Sequence, residues 1–343
     1  MGEPTTPRGV IKALLRGEAP SRPLLLPIIF SLGSRLENLA LRDFYSNPTK
    51  IANALRQIHS VLKVDGVACY FDPFLEAEAL GCKLDWLPDG TRRLVPPPFS
   101  DVDDLRQKLK SPDSICEKGR IRVACDVLQR LKAMLKDEPA LMVRLTGPLT
   151  LAAQLSNLDD QNSRPSLPSG LIEFVAEVTA CVAKEFVVSG ADVVLLTEDS
   201  FPELPVESYE QWAALLEPVI NLIRFYDCLP ALMLNAPARG RSVLPGLLKS
   251  DGCLVSSLEN PAAEPKSWNW QSITSVFGIA LPSDLFVGRD DDGRLMSSVY
   301  VGLRDLKPVL LTSAADLPTT ADLKHVGVVL KSLREEGSGA EHG

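Results

Sequence analysis

ALMVRLTG at residues 140–147 and ADVVLLTE at residues 191–198 are two short runs that are almost continuously apolar. Between them, SGLIEFVAEVTACVAKEFVVSG at 169–190 has helical periodicity and ends on Gly190, where a helix C-cap is expected. Apolar runs without polar alternation are typical of strands buried on both faces, as in a parallel sheet that helices cover. This segment therefore predicts a strand–helix–strand unit of an α/β protein.

The same alternation of apolar run, turn and helical pattern recurs along the chain of 343 residues. Eight such strands separated by helices predict a closed (β/α)8 TIM barrel. We assign residues 1–335 to a single barrel domain and the polar stretch 336–343 to a disordered tail. The predicted strands are 23–30, 64–72, 140–147, 191–198, 229–236, 252–259, 273–280 and 307–315.

The connection between predicted strands two and three is much longer than the usual connection in a barrel. It contains DWLPDGTRRLVPPPF at 85–99, in which Pro, Asp and Gly signal a turn between two short extended runs. We predict a small excursion here, a lobe or β-hairpin that lies beside the mouth of the barrel.

Composition excludes several classes of partner. A net charge of −8 argues against a surface that neutralises nucleic-acid phosphates. No segment has the ~20 uninterrupted apolar residues that span a bilayer, and the N-terminal sequence has no apolar leader. Seven cysteines without a Cys-x-x-Cys pair indicate reduced thiols. We therefore expect a cytoplasmic protein with a small-molecule substrate and no membrane or nucleic-acid partner; a homodimer is compatible with the sequence.

Six motifs, in this order and spacing, are similar to those of the uroporphyrinogen decarboxylase superfamily, which includes zinc-dependent methylcobalamin:coenzyme M methyltransferases. The resemblance covers most of residues 10–335, and it implies the TIM barrel with its chemistry at the C-terminal ends of the strands. The motifs are the Gly33 turn, VDGVACYFDP at 64–73, LGCKLDW at 80–86, LTGPLTLAAQL at 145–155, GADVVLLTEDS at 190–200 and LPTTADLKHVGVVLKSL at 317–333.

Asp72 closes predicted strand two, where the resemblance implies an aspartate that binds the pyrrole NH groups of a folded tetrapyrrole. Protonation of a pyrrole carbon creates a cation, which a fixed buried anion stabilises. Asp72 is therefore the candidate catalytic residue. The alternative is structural: Asp72 precedes Pro73, and an Asx-type turn would end the strand there.

The remaining candidates are charged or amide side chains near the ends of predicted strands. Arg35 lies one position later than the second of two arginines that the resemblance implies after strand one, and Gln154 replaces a tyrosine after strand three. Arg144 and Arg239 offer guanidinium forks for acidic groups, and the acids that end strand four could pair with Asp72. The candidate substrate-binding residues are Arg35, Arg144, Gln154, Glu198, Asp199, Ser200, Asn235 and Arg239.

The methyltransferase branch implies three zinc ligands, a His-x-Cys pair after strand five and a Cys near the last strand. The corresponding positions here are Asn235, Pro237, and Ala314 or Ala315, none of which supplies a thiolate or imidazole. The decarboxylase branch is incomplete as well, because its histidine near the last strand corresponds to Ala314. We predict no metal and no other cofactor.

Three functions follow from the resemblance. The first is a cofactor-free carboxy-lyase, a decarboxylase that acts on a polycarboxylated, tetrapyrrole-like substrate, as in porphyrin biosynthesis. The second is a methyltransferase relative that works with a corrinoid. The third is a degenerate barrel that binds a tetrapyrrole without catalysis. Asp72 and Ser200 favour the first, GPLTLAAQL at 147–155 favours the second, and the missing family residues favour the third.

Overall fold

The fold was obtained as a computed structural model. The residues that the structure describes are 6–18, 20, 22–87, 91–96, 102–109, 113–117, 119–136, 139–156, 170–199, 206–234, 253–257, 277–288, 296–297, 299–300 and 308–338.

Eight parallel strands form the barrel that the sequence predicts, and each of the eight predicted apolar runs overlaps one of them. Residues such as those of Ala140–Thr146 and Leu229–Leu234 are buried at every position, because the barrel core covers one face and helices cover the other. In sheet order the strands are β1 (Leu24–Leu25), β10 (Leu310–Ser313), β9 (Phe277–Leu281), β8 (Cys253–Ser257), β7 (Leu229–Leu234), β6 (Val193–Glu198), β5 (Ala140–Thr146) and β2 (Gly66–Tyr70).

The barrel closes between β1 and β2 through the residue that precedes β2. The backbone N–H of Asp65 donates to the carbonyl of Leu25 (3.1 Å), and the N–H of Leu25 donates to Oδ2 of Asp65 (2.9 Å). Arg22 holds the same carboxylate with two hydrogen bonds of 2.6 and 2.8 Å. A side chain thus supplies a bond that a longer strand ladder would make with its backbone.

The predicted excursion between strands two and three is present. It contains an antiparallel hairpin, β3 (Lys83–Trp86) and β4 (Arg92–Val95), in which Lys83 pairs with Val95 and Trp86 with Arg92. The helices over the described residues are α1 (Pro7–Leu15), α2 (Leu32–Leu36), α3 (Leu41–Phe44), α4 (Pro48–Leu62), α5 (Leu75–Ala79), α6 (Val102–Leu109), α7 (Asp113–Cys116), α8 (Gly119–Leu135), α9 (Pro148–Ser156), α10 (Leu171–Ser189), α11 (Val206–Phe225), α12 (Ser283–Phe286) and α13 (Leu323–Ser338).

Local signals explain several helix ends. Asn47 accepts a hydrogen bond from the N–H of Lys50 (3.1 Å) and caps α4, whose first residue is Pro48. Gly190 ends α10 with a φ of 107°, a left-handed conformation that favours glycine. The last helix continues to Ser338, past the predicted end of the domain. Within the described ranges, no helix is both long and apolar enough to cross a membrane.

Candidate functional site

A cavity of about 510 Å³ opens at the mouth of the barrel, where β1, β2 and β10 end. The hairpin β3–β4 forms one wall of it, as expected for an excursion beside the mouth. The described residues of its walls combine aromatic and aliphatic surface with hydroxyl groups, one guanidinium and one carboxylate. The lining residues are Ser31, Leu41, Tyr45, Phe71, Pro73, Phe74, Thr91, Arg92, Ala315, Asp316, Leu317, Pro318 and Thr319.

Asp72 lies directly after β2 with a fully buried side chain. Its Oδ1 accepts a hydrogen bond from the N–H of Phe74 (3.0 Å), which is the Asx-turn bond, and another from Nη1 of Arg92 (2.8 Å). Its Oδ2 accepts from Nη1 of Arg120, which also binds Glu78. Two guanidinium groups and a backbone N–H therefore surround the carboxylate.

Arg92, on β4, connects Asp72 to the cavity. Its guanidinium carbon lies 4.8 Å from the centroid of the Tyr45 ring and 5.3 Å from those of Phe74 and Trp86. Cation–π contacts of this kind hold the group in place without using its hydrogen-bond donors. Among the residues that the structure describes, none accepts a hydrogen bond from Nε or Nη2 of Arg92, so one edge of its planar fork is available to a molecule in the cavity.

Asp316 contributes the carboxylate of the cavity, on the loop after β10. Its Oδ1 accepts hydrogen bonds from the N–H groups of Phe30 (2.8 Å) and Ser31 (3.2 Å), and its Oδ2 accepts from that of Ser31 (2.9 Å). Burial raises the pKa of Asp316 to about 6, although these hydrogen bonds and the charge of Arg92 act in the opposite direction.

A hydroxyl pair lies beside Asp316. The Oγ of Ser31 is 3.1 Å from the Oη of Tyr45, which also donates to the carbonyl of Phe71 (3.4 Å). Burial and the nearby carboxylates of Asp72 and Asp316 raise the pKa of Tyr45, so its phenol stays protonated at neutral pH. These groups give the wall hydrogen-bonding capacity next to its charges.

Glu198 ends β6, and its carboxylate lies at the N-terminus of α9. Its Oε1 accepts from the N–H of Leu149 (3.1 Å) and Nε1 of Trp212 (2.9 Å), and its Oε2 accepts from the N–H (2.8 Å) and Oγ1 (2.7 Å) of Thr150. A Cβ at Gly147 would lie 2.2 Å from Cδ of Glu198, so the carboxylate fits only beside glycine. Burial raises the pKa of Glu198 to about 7.

Comparison with known proteins identifies the family. The family model for uroporphyrinogen decarboxylase (URO-D) matches residues 6–335. The chain belongs to the URO-D family. A curated relative, a methylated-thiol–coenzyme M methyltransferase from Methanosarcina mazei, is 22% identical over 220 residues. That match covers 62% of this chain and only 59% of the relative's length.

Solved structures similar to this URO-D family member share its fold. A methyltransferase from Methanosarcina mazei superposes with a TM-score of 0.76 at 15% identity, covering 96% of this chain and 98% of that one. A B12-independent methionine synthase from Shewanella sp. W3-18-1 gives a TM-score of 0.51 at 14% identity, covering 86% and 90% of the two chains. At 15% and 14% identity, both similarities support the barrel fold and no particular activity.

The structure distributes the predicted site residues over several roles. Asp72 and Glu198 do not form the carboxylate pair proposed from the sequence, because guanidinium groups surround the first and Glu198 caps α9. Asp199, the other acid at the end of β6, is linked to Asp72 through Arg144. The Nη1 of Arg144 donates to the Asp72 carbonyl (3.0 Å), and its Nη2 binds the Asp199 carboxylate. The charge between these strand ends is thus paired within the protein.

Two further predicted residues tether loops near the mouth. Gln154 donates from Nε2 to the carbonyl of Pro73 (2.8 Å) and so fixes the turn after Asp72. Arg35 donates from Nη2 to the carbonyl of Ala321 (2.7 Å), which ties α2 to the segment before α13. Neither is among the residues that line the cavity. The candidates Ser200, Asn235 and Arg239 lie outside the described residues.

The zinc ion of the methyltransferase branch does not fit the residues present. Ala314 and Ala315 follow β10, and Ala315 lines the cavity with a methyl group where that branch requires a thiolate. Within the described part of the chain, no group of three His, Cys, Asp or Glu side chains is placed to hold a metal ion.

Sequence reasoning did not select Arg92, Arg120, Tyr45 or Asp316. The first three lie outside the strand ends on which the family comparison concentrates, whereas Asp316 directly follows the last predicted strand, 307–315. One signal was present: TRR at 91–93 follows the turn of an excursion that was expected beside the mouth, which makes an arginine there a candidate for the cavity wall.

Proposed function

We propose that the protein is a methyltransferase-like member of the URO-D family that acts on a small molecule in the mouth cavity, and that it does not decarboxylate uroporphyrinogen. The observation that carries this proposal is that the Asp72 carboxylate is buried and already paired. A decarboxylase of this family needs a fixed anion for a developing pyrrole cation. Here Arg92, Arg120 and the N–H of Phe74 already occupy the carboxylate, and its side chain has no exposed surface.

Two further observations support methyl transfer over decarboxylation. The curated relative at 22% identity is named a methylated-thiol–coenzyme M methyltransferase. The cavity of about 510 Å³ is within the range of small-ligand pockets, and its aromatic and aliphatic walls would exclude water around an apolar methyl group. In this proposal Arg92 and Asp316 bind and orient the polar ends of the substrate, since both line the cavity.

The test is a methyl-transfer assay on the purified chain. Methylcobalamin or a methylated thiol is supplied as the donor and a small thiol as the acceptor, and the methylated acceptor is quantified by mass spectrometry. We expect product above the protein-free rate, and a loss of about ten-fold or more in Arg92→Gln. The matched control is Arg93→Gln on the same strand, because Arg93 is exposed and its one ion pair among the described residues is with Asp85.

The outcomes separate the three functions. Methylated product that depends on Arg92 supports the proposal. Decarboxylation of uroporphyrinogen without methyl transfer would replace it with the lyase function. Tight tetrapyrrole binding with neither reaction would replace it with the non-catalytic binding barrel.

A further inference from the structure

Among the described residues that line the mouth cavity, one carries a positive and one a negative charge, and both point to the substrate class. We propose that the cavity binds a small zwitterion of the amino-acid type, with its carboxylate on Arg92 and its ammonium on Asp316. This inference rests on the proposed function, since it assumes that the substrate occupies this cavity, and it names the class to which that substrate belongs.

The anion subsite is the free edge of Arg92. Nη1 is committed to Asp72, whereas no described residue accepts from Nε or Nη2. A carboxylate matches this pair of parallel N–H groups in a bidentate arrangement. The side chain is 14% exposed and stacks against Tyr45, Phe74 and Trp86, so little conformational entropy is lost when it binds a ligand.

The cation subsite is Asp316. Its Oδ2 accepts one backbone hydrogen bond, from Ser31, which leaves lone-pair capacity on the carboxylate for a donor in the cavity. Ser31 and Tyr45 add hydroxyl oxygens on the same wall, 3.1 Å apart. An ammonium group has three donors and can use the carboxylate and a hydroxyl together.

Charge balance selects a zwitterion over a simple anion. Behind the wall, Asp72 and Glu78 are paired with Arg92 and Arg120, so this cluster of two acids and two arginines is neutral. Asp316 adds one negative charge at neutral pH. A polycarboxylate would bring further negative charge to this wall, and a simple cation would leave the edge of Arg92 empty. A ligand with both charges pairs with both subsites. A ligand that lacks one charge leaves a polar group of the site unpaired, so the site should bind the zwitterion much more tightly than a ligand with a single charge.

The apolar lining of the cavity sets the third requirement. Leu41, Phe71, Phe74 and Leu317 line the cavity together with the two charged groups. An amino acid with an apolar side chain fills such a space, whereas a short hydrophilic one leaves it wet.

Isothermal titration with L-methionine and its two single-charge fragments tests the inference. The fragments are 4-(methylthio)butanoate, which lacks the ammonium, and 3-(methylthio)propylamine, which lacks the carboxylate. We expect L-methionine to bind at least ten-fold more tightly than either fragment. Arg92→Gln should abolish its advantage over the amine, and Asp316→Asn should abolish its advantage over the carboxylate. Arg93→Gln should bind like the wild type.

Equal affinity for the three compounds would overturn the inference, as would equal effects of Arg92→Gln and Arg93→Gln. Because Arg92→Gln also removes a partner of Asp72, Arg92→Lys serves as a second variant that keeps the charge and loses the fork; wild-type affinity in it would overturn the bidentate subsite. Methyl transfer to 2-mercaptoethanesulfonate without L-methionine binding would leave the proposed function standing and remove this inference. L-Methionine binding without methyl transfer would do the reverse.

Discussion

Asp72→Asn is the substitution that best separates the two interpretations of this residue. If the carboxylate were an unpaired catalytic anion, the amide would remove activity and leave stability unchanged or slightly higher. In the structure the carboxylate is the shared partner of Arg92 and Arg120, whose side chains are 14% and 9% exposed. We therefore expect Asp72→Asn to destabilise the fold.

The magnitude follows from the contacts. An asparagine keeps one oxygen, which can accept from the N–H of Phe74 and from one guanidinium. Its NH2 group then faces the other guanidinium, donor against donor. Removing one partner of a buried ion pair leaves an uncompensated charge and costs about 3–5 kcal/mol. Glu78 still binds Arg120, so the lower end of that range is expected.

The assay is urea denaturation at pH 7 with Asp85→Asn as the matched control. Asp85 pairs with Arg93 on the same hairpin, but those side chains are 46% and 68% exposed, so its loss should cost no more than about 1 kcal/mol. An Asp72→Asn variant that unfolds at the wild-type urea concentration would refute the structural interpretation, all the more if its ligand binding were lost.

Three other results are expected. Gly147→Ala should lower the free energy of unfolding by about 1–3 kcal/mol, because its Cβ would lie 2.2 Å from Cδ of Glu198; a wild-type melting temperature would contradict this overlap. Burial raises the folded-state pKa of Glu198 to about 7 and that of Asp316 to about 6. Between the pKa of the unfolded chain and that of the folded chain, the folded protein binds more protons than the unfolded one. The stability that these two carboxyl groups contribute is therefore full below about pH 4 and is lost as the pH rises through 7. For Glu198 this amounts to roughly 3 kcal/mol, and pH-dependent denaturation of Glu198→Gln should show a shallower slope. Dialysed protein should hold no stoichiometric zinc, because Ala314 and Ala315 cannot ligate it; elemental analysis that finds one zinc per chain would contradict that.

The barrel was predictable from sequence because its strands are buried on both faces. Runs such as 140–147 and 229–236 lack polar alternation, and each of the eight runs overlaps a strand of the parallel sheet. The hairpin was predictable as well, since the sequence Pro-Asp-Gly at 88–90 is a turn signal between two short extended runs.

The partners of the site residues were not predictable in the same way. Strand ends indicate which residues approach the mouth, but they do not show which charges meet there. Arg92 and Arg120 reach Asp72 from 20 and 48 residues further along the chain, on a hairpin and on the first turn of α8. Glu198 ends its strand as expected, yet the adjacent N-terminus of α9 offers it two backbone N–H donors, and its carboxylate accepts both of these hydrogen bonds.

The central claim is that the pairing of the Asp72 carboxylate with Arg92 and Arg120 prevents decarboxylation. Its most direct test is incubation of the protein with uroporphyrinogen under anaerobic conditions at a one-to-one ratio. Chromatography then separates the products by their number of carboxyl groups, and an authentic uroporphyrinogen decarboxylase serves as the positive control. Because Arg92 and Arg120 already neutralise the carboxylate, we predict that uroporphyrinogen is recovered unchanged. Complete conversion to coproporphyrinogen would contradict the proposal and restore Asp72 as the catalytic anion.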